Sequence, residues 1–205
     1  MLYIGQPKSG VVATGIANMV GNKGGVGISF QFHGTNLCFL SAHLAAHKEC
    51  IKERNQNYRE IAKRMKLGKH NIDLVNRCEY LFWYGDLNYR LELSFQKVIE
   101  TVYEESDMSL LYGADQLQNE MQLENAFVGF KEMNPTFWPT YRFIREKYDS
   151  YGNRIYNDEK ERVPSWCDRI LWKTFPDCQV EAEQYGSVPT VNTSDHVPVY
   201  ANFSL

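Results

Sequence analysis

The sequence predicts an α/β (α+β) protein in which short strands outnumber helices. The chain has 205 residues, is 43% hydrophobic and shows no internal repeat or linker, so we expect one domain over residues 1–205. Apolar residues at every second position from Val26 to Phe32 predict a strand with one buried face. Helical spacing of apolar residues over 47–67 predicts an amphipathic helix. Polar signatures follow several strands, and strand ends are where sheet-based enzymes commonly build a site.

The remaining elements follow in chain order. A turn at 33–36 leads into the apolar run 37–40, which predicts a hairpin with the first strand. Gly68 is the predicted stop of the helix. Residues 80–84 form an apolar aromatic strand that runs into Gly85, and 94–122 predict two helices broken near Gly113. Further strands are predicted at 136–143, 170–172 and 197–200.

Composition and charge exclude several classes of protein. The net charge of −3 excludes a polybasic nucleic-acid binder. No run of apolar residues reaches the roughly 18 of a membrane span, and the first ten residues have no signal-peptide core. The five cysteines include no CxxC pair, which favours reduced thiols over a metal finger or a disulfide framework. We therefore expect a globular cytoplasmic protein.

The segment Phe82–Arg90 carries the first candidate chemistry. An apolar strand ends at Gly85, after which Asp86 and Asn88 project on the same side. A carboxylate beside a carboxamide can bind a hard cation, orient a water and donate to a phosphate oxygen. For this short motif alone, an Asp/Asn turn cap is the more common explanation.

Three further segments carry titratable groups. Asp195 and His196 precede an apolar strand, and a carboxylate beside an imidazole suits acid–base work on a phosphate; a lone His is more often structural. Asp168 and Arg169 enter another strand, where a structural ion pair is the expected role of Arg169. His43 is a candidate anion ligand. We expect His47 to lie on the helix surface, and Cys167 to serve in packing.

Together these segments resemble the inositol polyphosphate 5-phosphatases, a branch of the endonuclease/exonuclease/phosphatase superfamily. The two most specific stretches are FWYGDLNYRL at 82–91 and RVPSWCDRIL at 162–171. Five others match in the same order: GNKGGVGISFQF at 21–32, SAHLAAH at 41–47, ERNQNY at 53–58, PTYRF at 139–143 and TSDHVPV at 193–199. Nucleases of the superfamily share the short GDxN and SDH motifs but not the long WCDR stretch.

The resemblance implies a role for each catalytic candidate. Asp86 would activate or orient the attacking water, and Asn88 would stabilise the phosphoryl oxygens. His196 would contact the scissile phosphate, with Asp168 hydrogen-bonded to it and fixing its orientation. His43 would bind the phosphate from the other side.

The resemblance also implies a metal and a substrate site. The cofactor would be Mg²⁺, with Asp86 and Asp195 in its shell. The 4-phosphate of the substrate would be recognised by Tyr141, Arg142, Lys160 and Arg162. Asn22 and Lys23 are weaker candidates for the phosphate that links inositol to lipid.

The implied fold is a DNase I-like two-sheet sandwich flanked by helices, N-terminally truncated. Family members begin with strands that carry an Asn and a Gln-Glu pair, whose Glu is the main metal ligand, and residues 1–11 match neither. We therefore expect roughly the first third of the domain to be absent, apolar positions such as Val26, Ile28 and Phe30 to lose their cover, and Mg²⁺ to bind weakly with little turnover.

The implied function is Mg²⁺-dependent removal of the 5-phosphate from phosphoinositides or soluble inositol polyphosphates. The alternatives are a non-catalytic phosphoinositide-binding remnant and, third, a Mg²⁺-dependent nuclease. Eight Lys or Arg against three Glu over 47–70 give a local excess of +5. Most of these cations are expected on a solvated helix face, and their clustering favours anionic headgroups at a peripheral membrane surface. No nucleic-acid partner is expected, and protein partners are unknown.

Overall fold

The computed structural model describes residues 3–14, 22–67, 73–105 and 107–205. Gly68, and the basic residues that follow it up to 70, therefore lie outside the described residues. The strands are β1 Lys8–Thr14, β2 Lys23–Phe32, β3 Thr35–His43, β4 Tyr80–Asp86, β5 Phe143–Tyr148, β6 Arg154–Tyr156, β7 Asp168–Thr174, β8 Glu181–Ser187 and β9 Val199–Ser204. The helices are α1 Ile51–Arg64, α2 Phe95–Glu100, α3 Ser109–Gly113 and α4 Gln116–Gln122, with a π-helical turn at Thr101–Glu105 after α2.

A five-stranded sheet in the order β1-β2-β3-β4-β7 forms the centre of the fold. Its β3 and β4 are parallel, and the other neighbours are antiparallel. The predicted hairpin of β2 and β3 is present, and the strands predicted at 80–84 and 170–172 are β4 and β7. The two-stranded sheet of β8 and β9 packs on this end of the large sheet, because the Phe203 ring lies 4.9 Å from Phe82 and 5.2 Å from Trp172. The predicted α/β sandwich is confirmed.

Helix α1 covers the face of β2 opposite to the one that the alternation predicts. The buried face carries Gly25 and Gly27, where an added Cβ would lie 2.9 Å from Ile61 and 2.7 Å from Leu67. These glycines let the helix approach the sheet closely. The apolar side chains point the other way, and Val26 and Ile28 are 53% and 41% exposed. The prediction that the apolar Val26–Phe32 face is buried is therefore wrong for the described residues, because close helix packing selects glycine on the covered face. The exposure of Val26 and Ile28 agrees instead with the expectation that these positions lose their cover.

The prediction of a strand over residues 136–143 is also wrong for most of that segment. Regular pairing begins only at Phe143, and Tyr141 makes isolated bridges to Ser165 and His196. Pro135 and Pro139 lack the amide hydrogen that a strand ladder needs, so the segment crosses the site in an extended but irregular form. The predicted break near Gly113 is present, as the junction between α3 and α4.

The largest core lies between the five-stranded sheet and the helices. Trp83 of β4 is fully buried there, and the Tyr58 ring of α1 lies 5.2 Å from it and 4.2 Å from the Phe127 ring. Aromatic packing of this kind fixes β4 against the helical layer. Among the described residues, no helix has the length and hydropathy needed to cross a membrane.

Candidate phosphoryl-transfer site

Three strands bring titratable side chains to one edge of the large sheet. The register pairs His43 of β3 with Asp86 of β4, and Asp86 in turn with Asp168 of β7. Parallel β3 and β4 end at this edge, and antiparallel β7 begins there. One imidazole and two carboxylates thus lie in a row at the same level of the sheet.

Gly85 lets Asp86 lie close to β3. Its φ of 124° disfavours any other residue, and an added Cβ would lie 2.3 Å from the carbonyl oxygen of Ala42. With this close approach, Asp86 Oδ2 lies 3.2 Å from His43 Nε2. Glycine is therefore needed at this position of the GDLN motif both for the turn and for the close packing against β3.

Lys23 lies at the same sheet edge, next to His43. Its ammonium contacts His43 Nε2, the ring nitrogen that also faces Asp86. One nitrogen cannot donate to the carboxylate and accept from the ammonium at once, so the tautomer of the His43 ring decides which of the two groups Nε2 bonds. Burial lowers the pKa of Lys23, and Arg90 adds to this effect while Asp86 opposes it. The neighbouring Asn22 is exposed.

Asp168 and His196 form a hydrogen-bonded pair that a third side chain supports. His196 Nδ1 lies 2.8 Å from Asp168 Oδ2, and Thr140 Oγ1 donates to the same oxygen at 3.0 Å. Burial of His196 lowers its pKa, but the hydrogen bond and the charge of Asp168 outweigh burial, so the pKa is raised. The hydrogen bond predicted between these two residues is present, and it leaves Nε2 for another partner.

Asn88 is held at the mouth of β4 by hydrogen bonds to both its main chain and its side chain. Its main-chain nitrogen donates to Asp86 Oδ1 at 3.1 Å, and its amide nitrogen donates to the carbonyl of Leu44 at 3.1 Å. Its amide oxygen accepts from Arg90 at 2.5 Å. Since an amide nitrogen carries two hydrogens, one remains for a phosphoryl oxygen.

A cleft of about 330 Å³ adjoins this edge, and three of the residues predicted to bind the substrate line it. Tyr141, Lys160 and Arg162 line it together, and Arg162 Nη1 donates to the Tyr141 hydroxyl at 3.0 Å. Lys48 and Arg90 line it too, and sequence reasoning assigned neither to the site. Their signal was present in the sequence, since each lies within five residues of a candidate motif residue.

Arg142 does not line the cleft with the other predicted 4-phosphate residues but pairs with two carboxylates. Its Nε lies 3.2 Å from Asp195 Oδ2 and its Nη1 lies 3.2 Å from Glu159. Arg145 Nη2 lies 3.4 Å from the other Asp195 oxygen. Burial raises the pKa of Asp195, but its bond to Arg142, with further help from His196 and Arg145, makes the net pKa lower than usual.

The donors present supply only part of a Mg²⁺ shell. Within the described ranges, no three His, Cys, Asp or Glu side chains converge as metal ligands would. Both oxygens of Asp195 face arginines. Asp86 is the carboxylate at the sheet edge that suits a hard cation, and Mg²⁺ commonly takes one or two protein carboxylates together with water and substrate oxygens.

The ERNQNY stretch at 53–58 supports the loop that follows His43 from the buried side. Arg54 is fully buried and donates to the carbonyls of Ala45 at 3.1 Å and His47 at 2.5 Å, while Asn57 accepts from the Ala45 amide at 3.0 Å. These bonds fix the loop that follows His43. Arg54 is therefore not on the solvated face expected for most of the basic residues, whereas Lys52 and Lys63 are exposed.

Two neighbours of the site residues are structural. Arg169 is fully buried between Asp115 at 2.8 Å and Glu132 at 2.5 Å, which confirms the expected ion pair. Cys167 is also fully buried, and burial raises the pKa of its thiol. A neutral, inaccessible thiol agrees with its predicted role in packing.

The fold and this edge define a class. An α/β sandwich built on a five-stranded sheet carries an Asp–His pair, a GDLN turn and a cleft lined by four Lys or Arg and two Glu, as suits a phosphoesterase. The sequence profile described as Endonuclease/Exonuclease/phosphatase family 2 matches residues 2–202. The chain belongs to this family.

The most similar proteins extend the match to the inositol 5-phosphatases. The chain is 42% identical over 201 residues to human phosphatidylinositol 3,4,5-trisphosphate 5-phosphatase 1, covering 94% of this chain and 17% of that protein. It is 40% identical over 202 residues to the Danio rerio phosphatidylinositol 3,4,5-trisphosphate 5-phosphatase 2A, covering 95% of this chain and 16% of that protein. The resemblance predicted from the motifs is confirmed.

A solved structure supports the same conclusion. The inositol polyphosphate 5-phosphatase domain of SPsynaptojanin, in complex with inositol (1,4)-bisphosphate and calcium ion, superposes with a TM-score of 0.85 at 34% identity. The match covers 98% of this chain and 55% of that one. The chain thus spans about half the length of this solved domain and about a sixth of the curated relatives.

Proposed function

We propose that this chain carries the catalytic edge of a phosphatase that removes the 5-phosphate from inositol polyphosphates or phosphoinositides. The observation that carries the proposal is the row His43, Asp86 and Asp168 at one sheet edge, with His196 bonded to Asp168 and a cationic cleft beside it. A phosphate at this edge has donors on one side and a carboxylate that can orient water on the other.

The side chains divide the reaction between them. Asp86 orients the attacking water. The remaining amide hydrogen of Asn88 donates to a phosphoryl oxygen, and His196 donates from Nε2 to another, where charge develops in the transition state. Because Asp168 raises the pKa of His196, the imidazole carries its second proton over a wider pH range. His43, whose Nε2 faces both Asp86 and Lys23, contacts the phosphate from the β3 side.

We propose Mg²⁺ as the cofactor, with Asp86 as its ligand in the described part of the chain. When bound, Mg²⁺ polarises the phosphoryl group and offsets charge in an in-line displacement. The calcium ion named with the SPsynaptojanin domain supports a divalent cation at such sites.

The cleft supports a substrate with a second phosphate. Lys160 and Arg162 contribute cations, and the Tyr141 hydroxyl contributes a polar group at its wall. The relatives named as phosphatidylinositol 3,4,5-trisphosphate 5-phosphatases support a phosphoinositide. We propose that the protein acts in the cytoplasm at the membrane surface, with exposed Lys52 and Lys63 of α1 facing anionic lipids.

Phosphate release tests the proposal. The chain is incubated in millimolar Mg²⁺ with short-chain phosphatidylinositol 4,5-bisphosphate, soluble inositol 1,4,5-trisphosphate, or single-stranded DNA. We expect slow, Mg²⁺-dependent release from the inositol substrates that Asp86→Ala and His196→Ala remove, and no cleavage of DNA. Equal release by wild type and both variants would contradict the assignment of the site.

A binding protein without turnover is the second candidate. The absence of a three-ligand metal cluster among the described residues favours it. Calorimetry with soluble inositol 1,4,5-trisphosphate separates the two, since tight binding without phosphate release at any Mg²⁺ concentration would support the binding function.

A further inference from the structure

Arg90 contacts both parts of the candidate site, namely Asn88 at the sheet edge and Tyr141 in the cleft. It is 7% exposed and follows Asn88 by two residues. Its Nη2 donates to the Asn88 amide oxygen at 2.5 Å, and its Nε donates to the Asn88 main-chain oxygen at 3.1 Å. One guanidinium therefore holds both the side chain and the main chain of Asn88.

This contact decides which way the Asn88 amide points. Arginine carries donors only, so the amide atom that faces it must be the oxygen. The nitrogen then faces the Leu44 carbonyl and the site. With the opposite orientation, Asn88 would present its oxygen to a phosphate and repel it. Asn88 also adopts a φ of 58°, which is uncommon outside glycine, so its main chain needs support.

The same guanidinium supports the cleft. Arg90 Cζ lies 4.5 Å from the centroid of the Tyr141 ring, within the range of a cation–π contact. The Tyr141 hydroxyl also accepts from Arg162, and the Tyr141 ring lies 4.5 Å from that of His196. Displacing Tyr141 would therefore disturb the cleft wall and the catalytic histidine together.

We propose that Arg90 is a positioning residue that orients the Asn88 amide toward the phosphate and fixes Tyr141 in the cleft. The kinetic consequences rest on the proposed phosphatase function, whereas the orientation of the amide does not. Lysine is the informative replacement, because it keeps the charge but has no planar fork for two Asn88 oxygens and a ring.

The first experiment needs no turnover. The side-chain amide ¹⁵N–¹H signals of Asn88 are compared in wild type, Arg90→Lys and a matched control, Arg154→Lys. Arg154 is also 7% exposed, lies 4.5 Å from the Phe143 ring, and donates to two carbonyls away from Asn88. We expect both variants to lower the melting temperature, but only Arg90→Lys to move the Asn88 signals. Unmoved signals in Arg90→Lys, or equal movement in both variants, would overturn the proposal.

The second experiment is a double-mutant cycle. Arg90→Lys, Asn88→Ala and the double variant are assayed at a temperature where all are folded, on 5-phosphate substrates with and without a 4-phosphate. We expect Arg90→Lys to lower kcat by about 10–100-fold, as loss of an outer-shell partner commonly does, and to raise KM only for the substrate with the 4-phosphate. In the Asn88→Ala background the further loss in kcat should be small, whereas additive losses would contradict the role. If wild type releases no phosphate, the proposed function fails and the amide signals alone decide the role of Arg90.

Discussion

Replacing Asp168 by Asn isolates the charge of this side chain from its hydrogen bonds. Asp168 Oδ2 accepts from both His196 Nδ1 at 2.8 Å and Thr140 Oγ1 at 3.0 Å. An Asn carbonyl oxygen in the same place can accept both bonds. Asp168→Asn should therefore fold with the imidazole in its present orientation, but without the negative charge beside it.

The size of the effect follows from the strength of the bond. A hydrogen bond to a charged group contributes about 1.5–3 kcal/mol, against about 0.5–1.5 kcal/mol for a neutral one. The loss of about 1–1.5 kcal/mol from the protonated imidazole corresponds to roughly five- to tenfold in rate, if that imidazole donates to the phosphate.

The same change alters how stability depends on pH. Burial opposes protonation of His196, but Asp168 raises its pKa above the ordinary value. A raised histidine pKa stabilises the folded state at pH values below the unfolded pKa of about 6.5, and the contribution is lost as pH rises through the folded pKa. Wild type should therefore gain more stability than Asp168→Asn when the pH is lowered from about 8 to about 5.5.

Two measurements check this prediction. An NMR titration of His196 should show a lower midpoint in Asp168→Asn, and urea unfolding at the two pH values should show the smaller pH dependence. Thr140→Val is the control, because it removes a donor from the same oxygen and leaves the charge. An unchanged His196 midpoint in Asp168→Asn would refute the reasoning.

Two further predictions concern the cleft and the exposed face of β2 that carries Val26 and Ile28. Lys160→Met should raise KM several-fold for substrates with a 4-phosphate and spare those without it. Arg142→Met, which removes one of the two arginines paired with Asp195, should lower kcat on both substrates. Steady-state kinetics on the two substrates would contradict this if both variants behaved alike. Val26→Thr combined with Ile28→Thr should change the unfolding free energy by less than about 0.5 kcal/mol per site, since both side chains are largely exposed. If wild type self-associates in sedimentation velocity, the variant should associate less, and an equally associated variant would contradict a role for this face.

The sequence located the sheet edge that carries the candidate site because the motifs follow or open strands. Asp86 ends an apolar run and Asp168 begins one, and strands in one sheet share edges, so their proximity follows from pattern and topology together. The resemblance added the pairing of Asp168 with His196, which lie 28 positions apart and which no local pattern connects.

The contacts that the sequence could not supply are those made across the fold. Alternation at Val26 and Ile28 indicates a strand but does not say which face a helix will cover, and here glycine packing decided it. Arg54 and Arg90 look like two more basic residues in sequence. Their burial against carbonyls, an amide and a ring becomes visible only when the loop after His43 and the segment around Tyr141 are in place.

The buried pair of Arg169 and Glu132 gives a stability prediction that is independent of activity. Glu132 Oε2 accepts from Arg169 at 2.5 Å, and both side chains are fully buried. Both Glu132 oxygens accept from Arg169, so Glu132→Gln turns an amide N–H toward the guanidinium and leaves Asp115 as its remaining carboxylate partner; breaking one partner of such a pair commonly costs about 3–5 kcal/mol. Urea unfolding should show this loss.

Glu60→Gln serves as the control for that measurement. Glu60 pairs with Arg64 one helical turn along α1, on the solvated side, where removing the charge should cost no more than about 0.5 kcal/mol. Because both variants replace Glu by Gln in an ion pair with arginine, the difference between them measures burial of the pair. Equal losses would mean that Arg169 finds compensation inside the protein, with Asp115 at 2.8 Å as the group that supplies it.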